Sequence, residues 1–237
     1  MSENSNHLTD RELRTPRAAA ITGILFAVLF STSYSLILYR APGASADIAS
    51  WLARDSETVM TGVSLLPFAA IALLWFMGVV RDSLGHLEDQ FFSTLFFGSG
   101  LLYLAMTLMS AGLASGALNL YVRHPEIASQ TLLLDLVRAV SKETMTIYAL
   151  RMAGMFMFVL GTIWVKTGLM PRWLIGVTYL AAVVLMLSVG QLQWIIMLFP
   201  GWVFLVSVLI LVSNRRPTAM ERRKWHLIGA AIRPWIL

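Results

Sequence analysis

The sequence predicts an all-α, polytopic membrane bundle of six transmembrane helices with both termini cytoplasmic. Three observations carry that expectation. The first is composition: 57% of the 237 residues are hydrophobic, 13% are charged and mean hydropathy is +0.71, whereas a soluble domain carries about 25% charged residues. The second is length, because six apolar stretches come close to the ~20 residues needed to cross a hydrocarbon core of ~30 Å. The third is where the positive charge lies. With a cytoplasmic N-terminus, twelve Lys and Arg fall inside: Arg11, Arg14, Arg17, Arg81, Lys166, Arg172 and six more between Arg215 and Arg233. Five fall outside (Arg40, Arg54, Arg123, Arg138, Lys142), which satisfies the positive-inside rule. A basic charge spread along span boundaries makes no nucleic-acid footprint.

Residues 1–17 are polar and read as a tail without structure, and the membrane domain is expected over 18–213. The first span covers 18–39. "APGASA" follows it and contains a small-x-small site, but the apolar run is too long for a signal-peptide core, so this helix is expected to stay uncleaved. Residues 45–59 read as a short surface helix with Trp51 and Leu52 toward lipid, ahead of a second span at 59–80. The third span, 92–113, lies in an uncharged stretch from Phe91 to Val122. That stretch would be ~48 Å long as helix, so 114–122 is expected to emerge from the bilayer. Residues 125–143 place Leu133, Leu136, Val137 and Val140 on one face and Asp135, Arg138 and Lys142 on the other. This is an amphipathic outer helix, and nothing prevents it from running into the fourth span at 144–165.

"KTGLMPR" (166–172) supplies a helix-stopping Gly168 and a helix-opening Pro171 before the fifth span, 173–190. "GQLQ" then turns the chain tightly into the sixth, 194–212. Trp75, Trp164 and Trp173 fall at inner boundaries and Trp194 at an outer one, as amphipathic rings prefer, with Trp202 the mid-span exception. Residues 214–237 interleave basic residues with Trp225 and Trp235 and read as a positive-inside anchor, with recognition of anionic lipid as the rival reading. No internal repeat appears. Pro67 and Pro200 occupy non-equivalent spans, against an inverted-repeat transporter.

Several chemistries are disfavoured. No cysteine is present, which removes disulfides, thiolate metal sites and cysteine nucleophiles. The histidines (His7, His86, His124, His226) all lie outside the spans, and no Asp or Glu lies inside one. Haem, zinc and proton-relay roles in the bilayer therefore lack their residues, and no cofactor or metal is expected. "FGSG" (97–100) lacks a serine-hydrolase context, so its glycines read as packing residues, as do Gly112 and Gly116 and the pair Ala149 and Ala153. The chain is not expected to be an enzyme.

Arg151 breaks this uniformity. Met152–Val165 alone is too short to cross, so the fourth span must include the arginine roughly two turns, ~10 Å, below its outer boundary. A charge at the centre of a spanning helix costs about 2.5 kcal/mol or more, less near the surface, and calls for a partner or water. Thr144, Tyr148 and Arg151 fall at i, i+4, i+7, and Tyr103, Thr107 and Ser110 repeat that spacing in the third span. Ser31 and Ser35 lie at similar depth in the first, and Pro200 in the sixth is expected to free a carbonyl beside Gly201. The expectation is an outward polar pocket in which Arg151, Tyr148, Tyr103, Thr107, Ser31 and Ser35 bind or pass a lipid headgroup or small anion. Structural pairing of Arg151 with Glu57 or Glu143 is the plainer alternative. Rival roles are a scaffold or accessory subunit docking a second copy or a membrane partner, and a channel or facilitator.

"RMAGMFMF…GLMPRWLIGVTYL", with "FPGWVFLVSVLILV" downstream, resembles a loose group of uncharacterised bacterial six-span membrane proteins. The resemblance covers residues 151–212 and implies a multi-pass protein of the bacterial inner membrane. It implies no activity.

Overall fold

The computed structural model describes residues 3–40, 48–84, 90–124, 131–188 and 193–213. Its order is α1 (Glu3–Arg40), α2 (Ile48–Leu84), α3 (Gln90–Arg123), α4 (Thr131–Glu143), a π turn (Thr144–Ala149), α5 (Leu150–Thr167), α6 (Arg172–Leu187), a 3-10 turn (Gln193–Met197) and α7 (Leu198–Ser213). All regular structure among the described residues is helical. Five stretches are long and apolar enough to cross a membrane: Arg17–Ile37, Arg54–Asp82, Gln90–Leu120, Leu136–Thr167 and Trp194–Val212. Arg172–Leu187 is apolar but shorter.

The helices extend further than the sequence reading placed them. The polar first residues carry helix from Glu3 onward, and the surface helix expected at 45–59 is instead the opening of α2 from Ile48. α3 stays helical through 114–122, and α4 packs against α3. The amphipathic stretch does run into the fourth span, as one rod from Thr131 to Thr167. The tail at 214–237, the "APGASA" segment and most of "GQLQ" lie outside the described residues.

Packing closes the helices into a ring in which each neighbour runs antiparallel. α1 packs on α2 and α7, α2 on α3, α3 on α5, and α5 on α6. One end of the bundle therefore gathers Arg17, Arg81, Lys166 and Arg172, and the other gathers Arg54, Arg123, Arg138, Lys142, Leu187 and Trp194; these are called the near and far ends.

Aromatic side chains fill the interior. Phe199 of α7 lies 4.6 Å from Tyr103, 5.6 Å from Phe156 and 5.9 Å from Phe26 between ring centroids. Trp202 follows it on α7, buried, and donates its indole N–H to Thr178 Oγ1 of α6 at 2.9 Å. Trp202 is thus a core residue with a satisfied donor, which explains its mid-span position. Trp75, Trp173 and Trp194 are exposed as boundary residues should be, but Trp164 is buried against Trp202 and anchors nothing. Pro200 also differs from expectation. It stands in the first turn of α7, where amide donors have no intrahelical partner, so its missing N–H costs little.

Glycine sets how closely the helices approach, though not at the GxxxG expected from sequence. A Cβ on Gly154 would come within 2.6 Å of Met186 Cγ and 2.9 Å of the Ala182 carbonyl oxygen of α6. Seven residues on, Gly161 faces Thr178 and Tyr179, whose hydroxyl lies 3.0 Å from that of Thr162. Gly154 and Gly161 therefore form the α5–α6 seam. Gly112 and Gly116 have nothing within 4 Å of such a Cβ. In the "FGSG" stretch Gly100 packs on Met77 and Phe156, while Gly98 is open. We expect Gly154→Ala to destabilise the detergent-solubilised protein by about 1–3 kcal/mol through overpacking. Gly112→Ala should be neutral or better, since it adds helix propensity without a clash. Thermal unfolding of the two variants checks the assignment; equal losses would contradict it.

Candidate functional site

The fourth membrane rod is where chemistry and irregular backbone coincide. From Thr144 to Ala149 the helix widens by one residue per turn, and the Leu150 N–H bonds the Met145 carbonyl, five residues back. Residues five apart then align, so Thr144 stacks with Ala149 and Met145 with Leu150, all four buried. The widened turn also disturbs carbonyl pairing. Thr144 Oγ1 donates to the Val140 oxygen at 2.7 Å and Thr146 Oγ1 to the Lys142 oxygen at 2.8 Å. In a bilayer such bonds matter, because lipid offers an opened carbonyl no donor.

The π turn separates the stripe read from sequence. Thr144, Tyr148 and Arg151 share a face only if the rod is α-helical throughout. In the structure Thr144 turns inward, whereas Tyr148 is 57% exposed and Arg151 is exposed. Below it Phe158 and Val165, at i+7 and i+14, are exposed on the same face. Arg151 therefore lies on the outer surface of the bundle. Neither Glu57 nor Glu143 pairs with it, and among the described residues its guanidinium has no ion-pair or hydrogen-bond partner.

On α3 the expected stripe does form, pointing inward. Tyr103, Thr107 and Ser110 are all buried. Ser110 Oγ donates to the Ser141 carbonyl and Ser141 Oγ to the Ser110 carbonyl, each at 2.8 Å, stapling α3 to α4. Thr107 Oγ1 reaches Met145 Sδ at 3.8 Å, a weak acceptor. The Tyr103 hydroxyl, 1% exposed as a residue, lies near Thr107 without an aligned hydrogen bond. Ser31 and Ser35 are half-buried on α1. Ser33 between them is fully buried and donates to the Gly62 carbonyl of α2.

The six candidate residues thus divide. Tyr103 and Thr107 line the interior, Arg151 and Tyr148 the exterior, and Ser31 and Ser35 the α1 flank. They do not converge on one pocket. Sequence reasoning missed Ser33, Ser141 and Met145, whose contacts cross between helices and leave no periodic signal. It also passed over the end of α6, for which a signal existed: 173–190 is the shortest of the six apolar runs.

That helix end gives Arg151 its setting. The seam pairs Gly154 with the Ala182–Met186 turn and Gly161 with Thr178 and Tyr179. Counting three residues outward from Gly154 brings Arg151 level with Ser188, where the backbone leaves the helical region (φ −60°, ψ 130°). Arg151 lies deep within its own helix's apolar run and at the very end of its neighbour's. Its Cα–Cβ bond tilts toward the α5 N-terminus, the far end, which favours a guanidinium reaching outward. No protein-family model, curated protein or solved structure matches the chain.

Replacing Thr144 and Thr146 together by Val should cost about 1 kcal/mol per lost hydrogen bond. Chemical unfolding in detergent measures it. An undiminished stability would mean that the π-turn carbonyls need no hydroxyl.

Proposed function

We propose that this is a six-span, non-enzymatic protein of the bacterial inner membrane, termini cytoplasmic, that holds the phosphate of an outer-leaflet phospholipid against α5 through Arg151. The observation that carries the reading is an exposed guanidinium, without a partner among the described residues, on a face continued by exposed Phe158 and Val165. Guanidinium and phosphate match in charge and fork geometry, and Tyr148 exposes a second donor nearby in sequence. The site lies on the bundle's exterior face at Arg151 and Tyr148, and the other four residues of the outward pocket expected from sequence lie apart from it. The near end, rich in Arg and Lys, is the cytoplasmic one under the positive-inside rule. α6 serves as the fifth span. The aromatic filling around Phe199 weighs against a channel or facilitator.

A scaffold role is the second reading, favoured by one observation. Gly112 and Gly116 lie open on α3 beside exposed Leu108 and Met109, a face on which another membrane helix could pack closely.

Native mass spectrometry of the full chain, released from nanodiscs of phosphatidylglycerol and phosphatidylcholine, tests both. A monomer retaining phospholipid is expected, with Arg151→Gln losing retention about tenfold or more while folding normally, as for a hydrogen bond to a charged group. Arg151→Lys should lose part of it. Inorganic phosphate supplied without lipid should not occupy the site; if it does, the ligand is a free anion. Retention unchanged in Arg151→Gln removes the reading, and a defined oligomer without lipid favours the scaffold.

A further inference from the structure

α6 is a short rod. Its 16 residues, Arg172–Leu187, span about 24 Å at about 1.5 Å each, some 6 Å less than a typical hydrocarbon core of about 30 Å. On the opposite flank of α5, α3 runs for 34 residues, about 51 Å. The two sides of one bundle therefore present unequal apolar heights to the bilayer.

The short side carries polar groups at its far end. The last four carbonyls of a helix lack intrahelical partners and need water, a side chain or a headgroup. In α6 these belong to residues 185–188, where the backbone leaves the helix at Ser188 (φ −60°, ψ 130°). Ser188, the first residue beyond, is buried with an unpaired hydroxyl. Leu187 is 73% exposed on the rim, and Arg151 stands at the same level across the seam. A helix end, a hydroxyl without a partner and a guanidinium unpaired among the described residues thus stand at one height, and the exposed guanidinium calls for polar surroundings. A flat leaflet would surround that guanidinium with acyl chains.

We propose that the protein thins the outer leaflet locally at the α5–α6 edge, drawing phospholipid headgroups down to the level of Arg151 and Leu187. The proposal rests on the headgroup reading above and names its physical basis: hydrophobic mismatch on one side of the bundle, with a cation placed where the displaced phosphates arrive. The occupant is the phospholipid headgroup layer. Both zwitterionic and anionic lipids carry the phosphate, so thinning should not require net lipid charge.

The chain has no cysteine, so single labels can be placed without background. Nitroxides on Leu187→Cys and Leu102→Cys, both exposed positions, test the idea in nanodiscs of palmitoyl-oleoyl phosphatidylcholine. Leu102 of α3 stands within about a turn of the same height, since Phe96 lies against Phe156 at 4.5 Å and α3 and α5 run antiparallel. Depth is read from relative accessibility to oxygen and a water-soluble nickel chelate. The Leu187 label should report headgroup depth and the Leu102 label hydrocarbon, a difference of about 6 Å. Equal depths, whether both shallow or both deep, would overturn local thinning. As a second variant, four apolar helix-forming residues inserted after Leu187 should bury the label that follows the insertion and lower lipid retention severalfold. Retention intact after that insertion also overturns the proposal. The outcomes separate from those above: Arg151→Gln that leaves the depths unequal but abolishes retention keeps both readings. Unequal depths with retention unaffected by Arg151→Gln keep the thinning and remove the headgroup role.

Discussion

The contact between α5 and α6 at Gly154 and Gly161 determines what Arg151 can do. Without a side chain at Gly154, α6 lies directly on α5, with the Ala182 carbonyl oxygen 2.9 Å from where a Cβ would stand. That contact fixes the relative height of the two helices as well as their separation. It brings the last turn of a short helix level with a charge borne by a long one. Were α6 to slide by one turn, Arg151 would be flanked by apolar side chains, and its cost in the bilayer would rise.

A second constraint decides which way the arginine faces. The π turn at Thr144–Ala149 adds a residue to one turn, and the face of α4 that docks on α3 through Ser110 and Ser141 is rephased relative to the face of α5. The threonine hydroxyls on Val140 and Lys142 allow that irregularity at membrane depth. The rod can thus satisfy two packing demands: hydroxyls inward against α3 above, and small residues inward against α6 and α7 below. Arg151 emerges just past the transition, on the line continued by Phe158 and Val165.

Much of the fold was legible because it follows from composition and period. The apolar runs, the stop at Gly168 (φ +64°), the opening at Pro171 and the continuation of α4 into α5 all appear where local rules place them. The site was legible only in part. Spacing arguments assume a regular helix, so they grouped Tyr103, Thr107 and Ser110 correctly and Thr144, Tyr148 and Arg151 wrongly, because one extra backbone residue is invisible to an i, i+4, i+7 count. Small-residue patterns were similarly ambiguous. Gly112 and Gly116 fit the motif yet face outward, whereas Gly154, which has no small partner at four-residue spacing, makes the close contact. Trp164 reads as a boundary residue by position and is a core residue by direction, a distinction that depends on its neighbour Trp202.

The bundle is thus a packed aromatic interior with one asymmetric edge, and its central claim concerns the shape of the membrane around that edge. The most direct measurement is a single-particle reconstruction of the full chain in a lipid nanodisc, held by a rigid antibody fragment, with the headgroup layer contoured around the whole perimeter. The account predicts a dip in the far-end headgroup density beside α6, reaching the height of Arg151, with the layer standing higher beside α3. A headgroup layer of even height, leaving acyl-chain density over Arg151 and Leu187, would contradict it.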